Sequence, residues 1–234
     1  MKKSPIMRKS RGFTLVETVI AIGVLAVLLT GFVIVFAPAA AGIKKSINVQ
    51  EADRLASTLE QELVTSRGTD PTPGFSKAFQ WIKESNAANT ALLVYQYRGS
   101  LSSLRDDGTP APVPDASNKV VGKDFAVLSM VRRKGDAKFT DDLPAVEGGV
   151  YLVKCTQLVF QAGELKPGTP GTIRDPKGTA VSQTADDYPE AVIAFSAEFH
   201  ALQGKTPGYF GAPFTQRFSQ LKNPVFTRNL AVRR

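Results

Sequence analysis

Glu17 is an unusual carboxylate because it lies near the start of a long apolar run. The run begins at Phe13 and reaches about Ala37, and residues 18–37 carry no charge. Near the centre of a membrane helix an acid costs about 2.5–3.5 kcal/mol, and this cost falls towards the interface, where Glu17 would lie. We therefore expect a cation to offset this carboxylate, and the chemistry that Glu17 predicts is charge pairing.

The other reactive side chains form no catalytic or metal-binding pattern. His200 is the only histidine and Cys155 the only cysteine, which gives no metal-ligand spacing and no intrachain disulfide. We predict that Cys155 is a buried small hydrophobe, with a reactive thiol or an intersubunit bridge as the alternative. We predict that His200 is a structural or exposed strand residue. The sequence implies no enzyme, no cofactor, no metal and no small-molecule substrate.

Three acidic pairs are the only hint of a cation site. They lie in turn-rich segments at 106–107, 141–142 and 186–187. Their spacing matches no EF-hand loop, so turn-forming or solvated aspartates are the favoured interpretation and loop-bound calcium is the alternative.

A short basic leader precedes the apolar run, and the order of residues at their junction is specific. The leader carries Lys2, Lys3, Arg8, Lys9 and Arg11, and it is followed by Gly12, Phe13, Thr14, Leu15, Val16 and Glu17. This order resembles the type III signal of prepilins and pseudopilins, the subunits of type IV pili and type II secretion systems. The resemblance covers roughly residues 8–40, and the remaining four-fifths of the chain carries no recognisable family motif.

The resemblance implies two processing steps and one contact. A prepilin peptidase would cleave between Gly12 and Phe13 and then methylate the new amino group of Phe13. Glu17 would pair with the amino terminus of a neighbouring pilin-like subunit. The physics agrees, because two staggered subunits can satisfy an amine and a carboxylate that one isolated apolar helix satisfies less well.

The apolar run also predicts where the chain lies in the cell. Twenty residues of helix span about 30 Å, which is one bilayer core. The basic leader should stay in the cytoplasm of a bacterium, so the chain would cross the inner membrane once and place its bulk in the periplasm. An ordinary secretory signal ending at the A-x-A site 39–41, with a mature start at Gly42, is the alternative.

The chain divides into four predicted segments. Residues 1–12 are the leader, 13–40 the membrane or fibre-core helix, 41–67 an amphipathic stem and 68–234 a β-rich domain. Apolar residues at helical spacing continue beyond the membrane to Leu63, with charges on the other side. We expect one helix over about 13–67, with a kink or a melted turn near Pro38 and an apolar stripe covered by the chain's own sheet. A coiled-coil dimer is the alternative cover.

The rest of the chain predicts an antiparallel sheet entered from this helix, an α+β, pilin-like fold. A short helix is expected at 75–84, and strands at 90–98, 125–133, 150–161, 191–202 and 224–232. Turn-rich segments separate them at 104–118 and 164–187, and the second is long for a loop in a compact domain.

Charge is unevenly distributed along the chain. The formal net charge is +8, but the leader holds five of the basic residues, and no acid follows Glu198. Four basic residues near the C-terminus form a candidate patch for DNA, acidic lipid or an acidic partner: Lys222, Arg228, Arg233 and Arg234. A solvated sheet edge is the other interpretation.

The sequence therefore predicts a structural subunit, minor rather than major, of a pilus or pseudopilus. A pilus-associated module that captures DNA or a surface is the first alternative, and a secreted or anchored β-domain of unrelated function is the second.

Overall fold

A computed structural model describes residues 14–67, 72 and 74–234. The chain forms two compact units, Met1–Ser46 and Ile47–Arg234. The described residues form four α-helices: α1 (Leu15–Val64), α2 (Gly74–Glu84), α3 (Ala137–Asp142) and α4 (Phe214–Gln220). They also form seven strands: β1 (Leu92–Leu104), β2 (Pro110–Pro112), β3 (Phe125–Arg133), β4 (Val146–Gln161), β5 (Glu164–Pro167), β6 (Val192–Ala201) and β7 (Phe226–Arg233).

All strands join one antiparallel sheet. Its main path runs β2-β1-β4-β6-β7, while β3 pairs with β1 and β5 forms a hairpin with β4. Three of the pairings join strands that follow one another in sequence, β1–β2, β4–β5 and β6–β7. The long β4 lies in the middle with β1 and β6 on its two sides. The predicted α+β class, a long helix followed by an antiparallel sheet, is confirmed.

One face of the sheet is covered by helical residues of the same unit. In the stem part of α1, the buried positions repeat at helical spacing: Ala52, Leu55, Ala56, Leu59 and Leu63. They pack with buried residues of α2 and with alternate residues of β4 and β6 in one hydrophobic cluster. The predicted cover for the stem stripe is confirmed, and these positions are not available for a coiled-coil dimer. Ile43 and Ile47, expected in the same stripe, are exposed.

The opposite face carries a second, aromatic cluster. Tyr95 and Tyr97 of β1 pack there with Phe139 of α3, and Phe210 and Phe214 cover them from the C-terminal part of the chain. The Phe139 and Phe210 rings meet edge to face, with centroids 4.8 Å apart. Sequence periodicity did not reveal this layer, because α3 and α4 have only 6 and 7 residues.

A bulge in β4 is the place where the stem part of α1 forms hydrogen bonds to the sheet. The β1–β4 register shifts between Tyr95, opposite Val150, and Gln96, opposite Glu147, which leaves Gly148 and Gly149 as extra residues. Gly148 has φ +64°, and a Cβ there would lie 2.4 Å from Glu51 Oε1. Glu51 of α1 accepts hydrogen bonds from the Gly149 amide at 3.3 Å and the Tyr151 hydroxyl at 2.8 Å.

Helix α1 differs from its predicted form in one respect. It continues through Pro38 without a melted turn, so that alternative was wrong, whereas the expected kink stays a prediction. Proline removes one helical hydrogen bond, which a membrane-type helix tolerates when neighbouring backbone groups adjust. Gly68 directly follows the predicted helix 13–67, where a glycine is a typical C-cap, but it lies outside the described residues.

Candidate processing and assembly site

The described part of the predicted site begins at Thr14, and it forms a reciprocal N-terminal cap. The Thr14 amide and hydroxyl donate to Glu17 Oε2 at 3.2 and 3.3 Å, and the Glu17 amide donates to the Thr14 hydroxyl at 3.2 Å. This is a capping box, in which a threonine and a glutamate three residues later satisfy two otherwise orphaned backbone donors. Glu17 therefore also fixes the start of α1.

The cap uses one of the two carboxylate oxygens. Both bonds from Thr14 end on Oε2, and Oε1 accepts no hydrogen bond from any residue that the structure describes. The side chain is exposed and its carboxylate is oriented by Thr14. An external cation can therefore approach Oε1 without disrupting the cap.

The helix that follows presents apolar side chains on all sides. Large residues from Leu15 to Phe36 are each more than half exposed, including Val16 at 64%, Leu25 at 55% and Ile34 at 67%. By length and composition α1 is the one helix among the described residues that can cross a membrane. Such a surface needs lipid or other apolar helices around it. Gly12 and Phe13, the predicted cleavage and methylation residues, lie outside the described residues.

The predicted basic patch is divided by its contacts. Arg228 pairs with Asp53 at 3.2 Å, and Arg234 donates to the carbonyls of Ala185 and Tyr188 and lies 4.7 Å from the ring centroid of Phe75. Lys222 and Arg233 are exposed, and within the described chain neither forms an ion pair. Two of the four cations are therefore engaged by other groups of the domain, which weakens the case for a continuous anion-binding surface.

The acidic pair at 141–142 corrects a prediction. Asp142 is fully buried instead of solvated, where it accepts from the Tyr95 hydroxyl at 2.6 Å and from Arg132 at 3.2 Å and pairs with Arg105. Burial and the negative charge of Asp142 raise the pKa of Tyr95 well above its usual value. Asp141, its neighbour, is exposed.

The pair at 106–107 is also engaged by cations of the protein. Lys138 binds Asp106 at 2.8 Å and Asp107 at 3.3 Å, and Arg132 binds Asp107 at 3.1 Å. Burial opposes ionisation of Asp107, but hydrogen bonds from Thr109 and Arg132 outweigh it and lower its pKa. In the described parts of the chain no group of three His, Cys, Asp or Glu side chains is arranged to hold a metal.

Cys155 and His200 are both buried. The prediction for Cys155 is confirmed: it is 1% exposed, and burial raises the pKa of its thiol to about 12. Neither ring nitrogen of His200 has a hydrogen-bond partner among the described residues, and Nε2 lies 3.8 Å from Glu198 Oε2. Burial and then the charge of Lys154 lower the pKa of His200 to about 4.

One contributor to the site was not recognised from the sequence. Thr14 was read only as part of a motif, although threonine followed three residues later by glutamate is the sequence signature of a capping box. That signature, placed directly before an apolar run, predicts the hydrogen bonds that the structure shows.

Comparison with known proteins gives one match. The family model of the prokaryotic N-terminal methylation motif matches residues 7–33, which include the capping box and most of the exposed apolar segment. No curated protein and no solved structure shows significant similarity to the chain. The chain thus carries the N-terminal signal of type IV prepilins and pseudopilins, on a long apolar helix that leads into an antiparallel sheet.

Proposed function

We propose that this chain is a structural subunit, minor rather than major, of a type IV pilus or a type II secretion pseudopilus. The observation that carries the proposal is the motif at 7–33 together with a glutamate whose second oxygen is open on an otherwise apolar helix. The large sheet unit with long loops favours a minor position.

Processing would supply the missing cation. Hydrolysis of the bond between Gly12 and Phe13 leaves a carboxylate on the leader and a new amino group on Phe13, which is then methylated. The amine of one subunit would bind Glu17 Oε1 of the next while Thr14 keeps Oε2. Because the surroundings are apolar, a charge pair there is stronger than one in water, and an unpaired charge is more costly.

Before assembly, the inner membrane would cover the apolar helix. The leader would lie in the cytoplasm and residues 68–234 in the periplasm, with 13–40 as the membrane segment and 41–67 as the stem. Extraction into a fibre would replace lipid around this helix with the helices of other pilin-like subunits. Prepilin peptidase and those subunits are therefore the proposed partners.

Replacing Glu17 tests the proposed contact. In cells that contain the peptidase and the assembly machinery, we expect Glu17→Ala to be cleaved and inserted normally but to enter fibres at least about tenfold less than wild type, since a tenfold loss corresponds to about 1.4 kcal/mol. Quantification of the chain in sheared fibres and in membranes measures this. The matched control is Glu60→Ala, a half-buried glutamate of the same helix.

Two results would overturn the proposal. Equal incorporation of Glu17→Ala and wild type would remove the role of Glu17. Mass spectrometry of the native protein tests the proposed cleavage, since a mature start at Phe13 supports processing by the peptidase. A retained leader or a start at Gly42 contradicts it.

A further inference from the structure

Trp81 of α2, the only tryptophan of the chain, lines two neighbouring cavities in the unit 47–234. We call the larger one the indole cavity. It has a volume of about 320 Å³ and is lined by Trp81, Asn89, Thr90, Arg133, Gly135 and Asp136. The smaller one, of about 210 Å³, shares Trp81 and Asp136 and is otherwise lined mainly by charged side chains. Of these two, the indole cavity is the one that reaches the range of small-molecule sites, roughly 300–1,000 Å³.

The charges at the indole cavity are already neutralised. Arg133 forms an ion pair with Glu84, and Asp136 binds Arg132 at 3.0 Å. Charges at the smaller cavity are neutralised in the same way, because Glu62 binds Lys77 at 2.9 Å and Arg67 at 2.7 Å. A charged ligand would have to compete with these pairs, so the indole cavity favours a neutral one.

Several polar side chains at the rim keep unused hydrogen-bonding capacity. Asn89 is exposed, and its side-chain amide, with two donors and an acceptor, bonds no residue in the described part of the chain. The Thr90 hydroxyl donates to the Glu84 carbonyl at 2.7 Å, which leaves its own lone pairs free. Arg133 has five N–H donors, and its pairing with Glu84 uses only part of them.

Three backbone amides around the cavity are already bonded, in contrast to these side chains. The Thr90 amide donates to Ala87 at 3.2 Å, the Lys134 amide to Ala91 at 2.9 Å and the Asp136 amide to Arg133 at 2.9 Å. An extended peptide would need open backbone donors and acceptors to add to this surface. These three amides cannot bond a peptide strand, and the open groups that favour a compact ligand are the side chains described above.

We propose that the indole cavity binds a neutral pyranose sugar. Such a ring carries an apolar C–H face, which matches the indole wall, and hydroxyl groups around its edge, which match the amide of Asn89, the guanidinium of Arg133 and the carboxylate of Asp136. The wall is held in place from the other cavity, where Lys77 Nζ lies 4.5 Å from the centroid of the Trp81 ring. This function is independent of the proposed role in fibre assembly.

Because Trp81 is the only tryptophan, its fluorescence reports on this cavity. The full-length protein in detergent micelles is titrated with cellobiose, lactose and chitobiose, and binding is measured in parallel by calorimetry. We expect a saturable fluorescence change with at least one of them. In Asn89→Ala the dissociation constant should rise about three- to tenfold, the loss expected for one or two hydrogen bonds. In Trp81→Leu, followed by calorimetry alone, binding should be lost.

Gln220→Ala is the matched control, because Gln220 is also an exposed amide but lines a different cavity, beside Tyr209. It should bind as wild type does. The proposal is overturned if none of the three sugars binds by either method, or if Asn89→Ala and Gln220→Ala bind equally well. It is also overturned if a proline-rich peptide binds under the same conditions and no sugar does. Trp81→Leu could unfold the domain, but Asn89→Ala removes only an exposed side chain and still decides the question.

Discussion

Two glutamates of the same helix have opposite surroundings. Glu62 in the unit 47–234 is 4% exposed, and it binds the Lys77 ammonium at 2.9 Å and the Arg67 guanidinium at 2.7 Å. Glu17 in the unit 1–46 is exposed, and its described partner is Thr14, three residues away. Glu62 is neutralised by two cations of its own unit, whereas Glu17 lies on an exposed apolar helix and no cation of the described chain pairs with it. The first arrangement stabilises the fold, and the second is the one that the proposed assembly would use.

Removing residues 1–46 is the strongest test of this contrast. We expect a fragment of residues 47–234 to leave the membrane fraction completely, because the exposed apolar segment 15–36 is gone. It should keep a cooperative thermal transition, because both hydrophobic clusters lie within residues 52–232. Sedimentation of membranes and circular dichroism measure the two outcomes. A fragment that sediments with membranes, or has no transition, contradicts the comparison.

Replacing Glu62 and Glu17 by alanine, one at a time, tests the comparison between the two glutamates. Glu62→Ala leaves Lys77 buried without its counterion, so we expect the free energy of unfolding to fall by about 3–5 kcal/mol. Lys77 keeps its hydrogen bonds to the carbonyls of Glu62 and Thr65, at 2.8 and 2.7 Å, which favours the lower end of that range. Glu17→Ala should leave the urea unfolding of the sheet unit unchanged. Equal effects of the two substitutions would show that the two sites do not differ as described.

Stability should also depend on pH through His200. The pKa of His200 in the folded protein is about 4, below the unfolded value of about 6.5, so the unfolded chain binds more protons between these values. Stability is therefore fully present above about pH 6.5 and falls as the pH drops towards 4, by up to about 1.4 kcal/mol per pH unit. Lys154, Glu198 and the Asn223 backbone face the ring.

Urea titrations between pH 7 and 4.5 measure this slope, and His200→Leu isolates it. The variant should lose the part of the slope that belongs to the imidazole, since His200 is the only histidine. An identical pH dependence in wild type and variant would show that His200 does not titrate as we expect.

The bond between the stem and the β4 bulge should have the smallest effect. Tyr151→Phe removes the hydroxyl that donates to Glu51, and we expect a loss of about 1 kcal/mol. Burial and hydrogen bonding to Glu51 raise the pKa of Tyr151, so the bond persists to alkaline pH. Tyr209→Phe is the control, because the Tyr209 hydroxyl bonds no described residue. Thermal unfolding of both variants compares them, and a shift no larger in Tyr151→Phe than in the control counts against the bond.

Most of the secondary structure could be predicted where the pattern was long and regular. The strand at 125–133 was predicted with the bounds that β3 has, and β4, β6 and β7 were predicted to within a few residues. Strand β2, with 3 residues, was missed because it is too short to show a period of two. Strand β5, with 4 residues, lies inside a segment rich in proline and glycine, which reads as loop.

The polar interior was less predictable. Alternation along β6 predicted that Phe195, Ala197 and Phe199 share one face, and all three are buried in the first hydrophobic cluster. The same alternation could not tell that His200 is buried, because α4 and the turn before it are too short to predict a cover for that face of β6. The prediction that Asp142 is solvated was wrong because its partners Tyr95, Arg105 and Arg132 come from separate parts of the chain.

The sequence alone determined the N-terminal signal, the apolar helix and the alternating strands, because these depend on neighbours within a few residues along the chain. Only the tertiary structure decided that two of the four C-terminal cations are used internally, that Asp142 and His200 are buried, and that Trp81 borders a cavity. Burial and pairing depend on which distant segments meet, and a local pattern of residues does not contain that information.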